Sequence, residues 1–284
     1  MEYQVDNMDR DDQISLAAFD PLAQPAVRLL VETIDTAFVE KVREKMVMAD
    51  RPTTYRRNGK RTLVLLYAGR SGSTYAAELL SNHPSLGRMH EWFSYRAIEK
   101  YRKRHGLADH NACLQHILDN QAGDIFACKS IPMSIAGAAL LGYLDQFREG
   151  LHFVHLRRRD TTAQAVSIFK GRLTGHYHST DGGQGGVDRD AFDYDRIVQH
   201  RQVVQNVHDR HERILAALGN AATTYYYEDM VADPMAFFAA VTSELGLTVP
   251  EGLTLETRLR KVGDSINKEW IARVREIDAA RASA

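Results

Sequence analysis

Leu63-Val64-Leu65-Leu66-Tyr67-Ala68-Gly69-Arg70-Ser71-Gly72-Ser73-Thr74 reads as a buried β-strand that runs into a turn of small residues and then into a helix. That order builds an anion site. Backbone N–H groups at the helix start, the hydroxyls of Ser71, Ser73 and Thr74, and the positive end of the helix dipole converge where a phosphate would sit. The string is not a Walker A loop: counted from Gly69, that motif needs a glycine and then a lysine where the chain has Thr74 and Tyr75. ATP hydrolysis is therefore disfavoured.

Further along, short β-branched apolar runs at Thr62 to Tyr67, Ile125 to Ile131, Leu151 to Leu156 and Ala222 to Tyr227 alternate with helical stretches. The helical stretches are Ser73 to Ser81, Ser134 to Gln146, Thr161 to Lys170 and Pro234 to Leu245, with one long helix over Phe192 to Leu218. This rhythm predicts an α/β fold, a P-loop-like parallel sheet flanked by helices. Thr180 to Gly186, with four glycines in seven residues, reads as a loop. Upstream, residues 1 to 25 are acidic and irregular. Val27, Leu30, Ile34, Phe38, Val42 and Met46 then recur at steps of three and four, as on one amphipathic helix. Arg51 to Arg61 carries Pro52, Gly59 and five cations, including Arg56, Arg57, Lys60 and Arg61, and reads as a solvated linker. Residues 1–60 are thus expected to form an N-terminal extension and residues 61–284 the main domain. The apolar face of the N-terminal helix would serve either to make a homodimer or to cover the chain's own sheet.

The 284 residues hold 36 Lys+Arg against 37 Asp+Glu and are 44% hydrophobic, an ordinary globular composition with no global field for nucleic acid. Two cysteines, Cys113 and Cys128, and no apolar leader suit the cytoplasm and no disulfide framework. Ile135 to Leu144 is too short an apolar run to span a bilayer, so no integral membrane segment is expected.

A second cluster, Val154-His155-Leu156-Arg157-Arg158-Arg159-Asp160, ends another strand, and Ala163-Gln164-Ala165-Val166-Ser167 follows on a helix. An arginine leaving a strand end and a serine hydroxyl inside the next helix can clamp a terminal phosphate by charge-assisted hydrogen bonds. Arg159 and Ser167, eight positions apart, resemble the segment by which sulfotransferases hold the 3'-phosphate of 3'-phosphoadenosine 5'-phosphosulfate (PAPS). Tyr225-Tyr226-Tyr227-Glu228-Asp229 with Asp233-Pro234 looks like the strand end and helix start that close the sulfotransferase core. Arg260-Lys261-Val262-Gly263-Asp264 resembles the C-terminal segment that wraps the nucleotide. Together with Glu91-Trp92-Phe93 and Leu173-Thr174-Gly175, these strings are most similar to the bacterial trehalose sulfotransferase family, over about residues 62 to 275. Tyr177 stands where that family usually has tryptophan.

The resemblance implies a PAPS-dependent sulfotransferase acting on a hydroxyl of a carbohydrate or glycolipid-type acceptor and releasing adenosine 3',5'-bisphosphate (PAP). It implies that Arg70, Ser71, Gly72, Ser73 and Thr74 hold the 5'-phosphosulfate, with Arg70 the cation nearest the transferring group. Arg159 and Ser167 would take the 3'-phosphate, and Tyr227, Arg260 and Lys261 would complete the nucleotide site. Many sulfotransferases place a histidine base two residues after a lysine, where Lys129-Ser130-Ile131 has isoleucine. Glu91 instead matches the family's glutamate before an aromatic pair, and Trp92 and Phe93 are expected to desolvate it as the general base. His90, His176 and His178 are reserve bases. Sulfuryl transfer demands no metal, and His208 and His211, three apart, show no second ligand pair in a metal motif. A phosphotransferase with a degenerate phosphate loop and a non-catalytic nucleotide-binding module are the alternatives.

Overall fold

The apolar run after Arg61 forms β1 (Arg61–Tyr67), buried from Thr62 onward, at the centre of a parallel sheet. The computed structural model describes residues 20–56, 60–175, 187–259 and 264–283. β1 pairs with β2 (Ile125–Ser130) on one side and β3 (Leu151–Arg157) on the other, and β4 (Ala222–Tyr226) lies beside β3. The order β2-β1-β3-β4 makes β1 and β3 the inner strands, covered on both faces, which is why they read as continuous apolar runs rather than alternating ones.

The helices in chain order are α1 (Pro25–Thr33), α2 (Thr36–Arg43), α3 (Ser73–Leu80), α4 (Tyr95–His105), α5 (His110–Asn120) and α6 (Pro132–Leu140). They continue as α7 (Tyr143–Phe147), α8 (Thr161–Thr174), α9 (Tyr194–Leu218), α10 (Tyr227–Ala232), α11 (Pro234–Glu244) and α12 (Ser265–Ala282). On one sheet face Val64, Leu66, Phe126, Cys128 and Phe153 pack with residues of α1, α2, α5, α6, α7 and the end of α9. On the other face Leu63, Leu65, Ile125, Ala127, Val154 and Leu156 pack with α3 and α11. A third cluster joins α8, α9 and α12 through Val166, Phe169, Ile197, Trp270 and Val274.

Several boundaries differ from the sequence reading, each for a local reason. The single helix expected over Val27 to Met46 is two, because the Asp35 carboxylate accepts from Phe38 N (2.5 Å) and starts α2 afresh. Val27, Leu30, Val39 and Val42 are fully buried, so this apolar face covers the chain's own α6 and α9. The helix expected over Ser134 to Gln146 is α6 and α7, separated at Gly142, whose φ of +76° ends the first helix. Ile131 caps α6 instead of ending β2, and Tyr227 opens α10 instead of ending β4. α4, α5 and α12 are helices that the sequence reading did not include. Cys113 and Cys128 are both buried free thiols. No described helix is long and apolar enough to cross a membrane.

Candidate active site

In an open parallel sheet a ligand crevice forms at the carboxyl ends of strands whose following helices lie on opposite faces. Here α3 follows β1 on one face and α6 follows β2 on the other. The turn between β1 and α3, residues 68–72, lines that crevice. Arg70 has a φ of 62°, the one positive φ of a non-glycine among the described residues, a conformation that costs a side-chain-bearing residue about 1–3 kcal/mol. Its Nε donates to Ser167 Oγ of α8 (3.0 Å), and Gln164 Nε2 of the same helix donates to Gly69 O (2.7 Å). α8 therefore holds the strained turn. Gly72, with φ +84°, begins α3, and a Cβ there would lie 2.4 Å from Cδ2 of Tyr227, so glycine is required both for the turn and for the close approach of that ring. Ser71 is buried and its Oγ has no hydrogen-bond partner, while Ser73 is buried at the first position of α3.

Glu91 reaches the same edge because residues 86–90 run beside β2: His90 bridges Cys128, and Lys129 N donates to His90 O (2.9 Å). The Tyr67 hydroxyl, at the end of β1, donates to Glu91 Oε1 (2.6 Å), and Lys129 Nζ lies 3.4 Å from that oxygen. Lys129 Nζ also donates to Thr74 Oγ1 (2.9 Å), so one buried lysine ties the carboxylate to the first turn of α3. Burial pulls the Lys129 pKa down against the opposing pull of Glu91. Burial, with Glu91 adding to it, pushes the Tyr67 hydroxyl well up, so at neutral pH it remains a donor. The flanking aromatics do not enclose Glu91 as the sequence suggested. Trp92 packs against His90 and Tyr101, and Phe93 points into the core against Phe126 and Tyr143. Glu91 keeps 38% of its side chain exposed, open to an incoming hydroxyl. The reserve base His90 has its pKa lowered, chiefly by burial.

The three arginines that end β3 diverge. Arg157 pairs with Glu212 (2.9 Å), and Arg158 lies over the Tyr227 ring 3.7 Å from Glu228. Arg159 makes a two-pronged pair with Asp229 (both 2.6 Å) and lies over the Tyr226 ring. Asp229 holds the Arg159 pKa up and is itself lowered by the same hydrogen bonds. The two halves of the expected clamp thus have other partners here, Ser167 with Arg70 and Arg159 with Asp229. Asp160 caps α8 through Ala163 N (2.9 Å) and accepts from Arg275 of α12 (2.8 Å), which brings the C-terminal helix over this end of the site. Arg260, Lys261, His176, Tyr177, His178 and the glycine-rich stretch 180–186 lie outside the described residues.

The geometry adds three residues that sequence reasoning did not place in the site: Tyr67, Lys129 and Gln164. Tyr67 and Lys129 sit on strands next to each other and are joined only by pairing, with Leu65 opposite Lys129. Gln164 stands in the Gln164-Ala165-Val166-Ser167 string, and it is fully buried with its amide nitrogen on Gly69 O of the turn.

A turn that presents buried donors, a carboxylate held by a tyrosine and a lysine, and arginines at the neighbouring strand end form one edge able to bind an anion and accept a proton. The model of the Stf0 sulphotransferase family matches residues 132–277, just over half of the chain. No curated protein matches it in sequence. Among solved structures, a sulfotransferase from Alicyclobacillus acidocaldarius is similar at 15% identity and a TM-score of 0.49, over 78% of this chain and 93% of that one. The sulfotransferase domain of the Synechococcus PCC 7002 olefin synthase is similar at 15% identity and a TM-score of 0.44, over 80% and 98% of the two chains. At these scores the weight rests on the family match, which takes in β3, α8, α9, β4 and most of α12. This chain belongs to the Stf0 sulphotransferase family and is a sulfotransferase of the trehalose sulfotransferase kind.

Proposed function

We propose that this enzyme takes its sulfuryl group from PAPS and passes it to a hydroxyl of a carbohydrate or glycolipid-type acceptor in the cytoplasm, with Glu91 as general base. The observation that carries this reading is the chain of contacts Tyr67, Glu91, Lys129 and Thr74, which ties a solvent-reaching carboxylate to the start of the helix behind the phosphate loop. The donor would supply an activated sulfuryl group on a phosphate leaving group. The buried Ser71 Oγ, without a partner, fits an anion at this turn, since a bound oxygen would satisfy it. Arg70, Ser71, Gly72, Ser73 and Thr74 would hold the 5' end. Arg159 and Ser167 would hold the 3'-phosphate, and Tyr227, packed on Gly72, would wall the nucleotide pocket.

In this scheme Glu91 accepts the proton of the attacking hydroxyl. Tyr67 fixes the carboxylate by its short hydrogen bond. The Lys129 cation lies between carboxylate and loop, where it can follow negative charge as it develops on the leaving side. Arg70, on the left-handed turn and bonded to Ser167, would be the cation nearest the transferring group.

A screen of hydroxyl acceptors with radiolabelled PAPS tests the reading. Label transferred to a sugar-bearing acceptor and absent with Glu91→Gln is the expected result. Transfer of phosphate from a nucleoside triphosphate with no sulfate transfer to any acceptor would overturn it in favour of a phosphotransferase.

A further inference from the structure

Three imidazoles meet in the sheet interior, away from the loop described above. His155 is on β3, and His208 and His211 lie on α9, three residues apart and hence on one helix face. All three are buried, His155 at 2%, His208 at 3% and His211 at 0% exposure. His155 Nε2 and His208 Nδ1 are 2.8 Å apart, and one nitrogen from each of the three rings lies within 4.8 Å of the others. Sheet register explains the meeting: His155 stands opposite Leu66, as Ser130 does, in a row facing the layer to which α9 belongs. The Ser130 backbone borders His211. Sequence spacing alone displayed His208 and His211 without further ligands, and the fold supplies the third.

Most side chains of this layer are hydrophobic, and its hydroxyl Thr62 is paired with Tyr143, so three imidazoles together need an account. The His211 ring is fully buried, and apart from the Ser130 backbone, which meets it outside normal hydrogen-bond geometry, neither of its nitrogens has a partner. An unpaired buried polar group is unfavourable, and one hydrogen bond between His155 and His208 does nothing for the third ring. We propose that His155, His208 and His211 form a binding site for a divalent late-transition-metal ion of the zinc type, which fastens α9 to β3 behind the active site. Such ions favour imidazole nitrogen, and metal–nitrogen distances of about 2.0–2.1 Å at tetrahedral angles put ligand nitrogens about 3.3–3.5 Å apart. Ring rotations that open the 2.8 Å pair slightly and draw His211 inward reach that spacing. The nearest cation along the strand, Arg157, is already paired with Glu212, the residue after His211. The fourth position is left to a water. The ion's role is structural, since it would join β3 to α9, while Glu91 and Lys129 are tied instead to Tyr67 and Thr74.

The test uses untagged protein, so that no added histidines compete. After stripping with a chelator, the parent is titrated with Co2+ and with Zn2+, and absorption, bound metal and melting temperature are read. Expected are about one equivalent of metal per chain, visible d–d absorption of tetrahedral Co2+, and a higher melting temperature with Zn2+. His211→Leu should weaken binding at least about 100-fold and abolish the Zn2+-dependent rise. A control variant, His105→Ala with His116→Ala, removes a second ring pair, the exposed His105 of α4 and the half-buried His116 of α5, and should change neither. Parent protein that gives no Co2+ absorption and no Zn2+-dependent melting shift overturns the site, as does binding lost in the control variant and kept in His211→Leu. If His211→Leu does not fold, the parent titrations decide alone.

Discussion

Glu91 meets a buried tyrosine and a buried lysine on the β2 side of the phosphate loop, whereas Arg159, on the β3 side, lies 51% exposed with the still more exposed Asp229 as its partner. Both are charged groups with short hydrogen bonds, yet burial makes them different devices. The Tyr67 and Lys129 contacts are shielded, and no long side chain has to be ordered when an acceptor arrives. The Arg159 pair is open to water, which weakens it, so in the proposed scheme a phosphate replaces Asp229 as the partner. In the proposed scheme the buried side serves proton transfer and the exposed side exchanges partners on nucleotide binding.

The largest expected effect breaks the ready side. Glu91→Gln keeps the volume and removes the proton-accepting charge, so turnover should fall about 10²–10⁴-fold with PAP affinity nearly unchanged. Near-parent turnover in Glu91→Gln, with loss in a His90, His176 or His178 variant, would move the base to histidine. Next comes the exchanging side: Arg159→Ala should weaken PAP binding by about 1.5–3 kcal/mol, roughly 10- to 100-fold, as for hydrogen bonds to a charged group. Calorimetry reads this directly.

Tyr67→Phe should be milder. Losing one hydrogen bond of about 0.5–1.5 kcal/mol predicts a roughly 3- to 10-fold fall in kcat, with PAP affinity unchanged. A parent-like kcat would mean that the tyrosine does not position Glu91. The smallest effect is the most diagnostic of partner exchange: Asp229→Asn should tighten PAP binding by no more than about fivefold, because it releases Arg159. Weaker binding in that variant would show that Asp229 orients the arginine for the ligand instead of competing with the phosphate.

The same division governs what could be read from the sequence. The phosphate turn, the Arg159 to Ser167 segment and Glu91 are local strings, and the strand rhythm around them gave the parallel sheet because inner strands must be apolar on both faces. Lys129 and Tyr67 became site residues only through strand pairing, which places residues more than 60 apart side by side. His155 joined His208 and His211 through the packing of α9 on the sheet, across 53 residues or more. Other misses had visible signals. Asp35 and Gly142 mark the breaks in the two helices read as continuous, and the capping box of Asp264 and Asn267 marks the start of α12. α4 is mostly polar, with the basic run Arg102 to His105 at its end, and only Ile98 is buried, so its apolar period was too weak to read.

The central claim is that this edge of the sheet recognises a nucleotide carrying a phosphate at both its 3' and 5' positions, and calorimetry of the unmodified protein with PAP and with AMP tests it most directly. The account predicts tighter binding of PAP, by roughly 10-fold or more, as expected for charge-assisted hydrogen bonds from Arg159 to the extra phosphate. Equal affinity for the two nucleotides would contradict it.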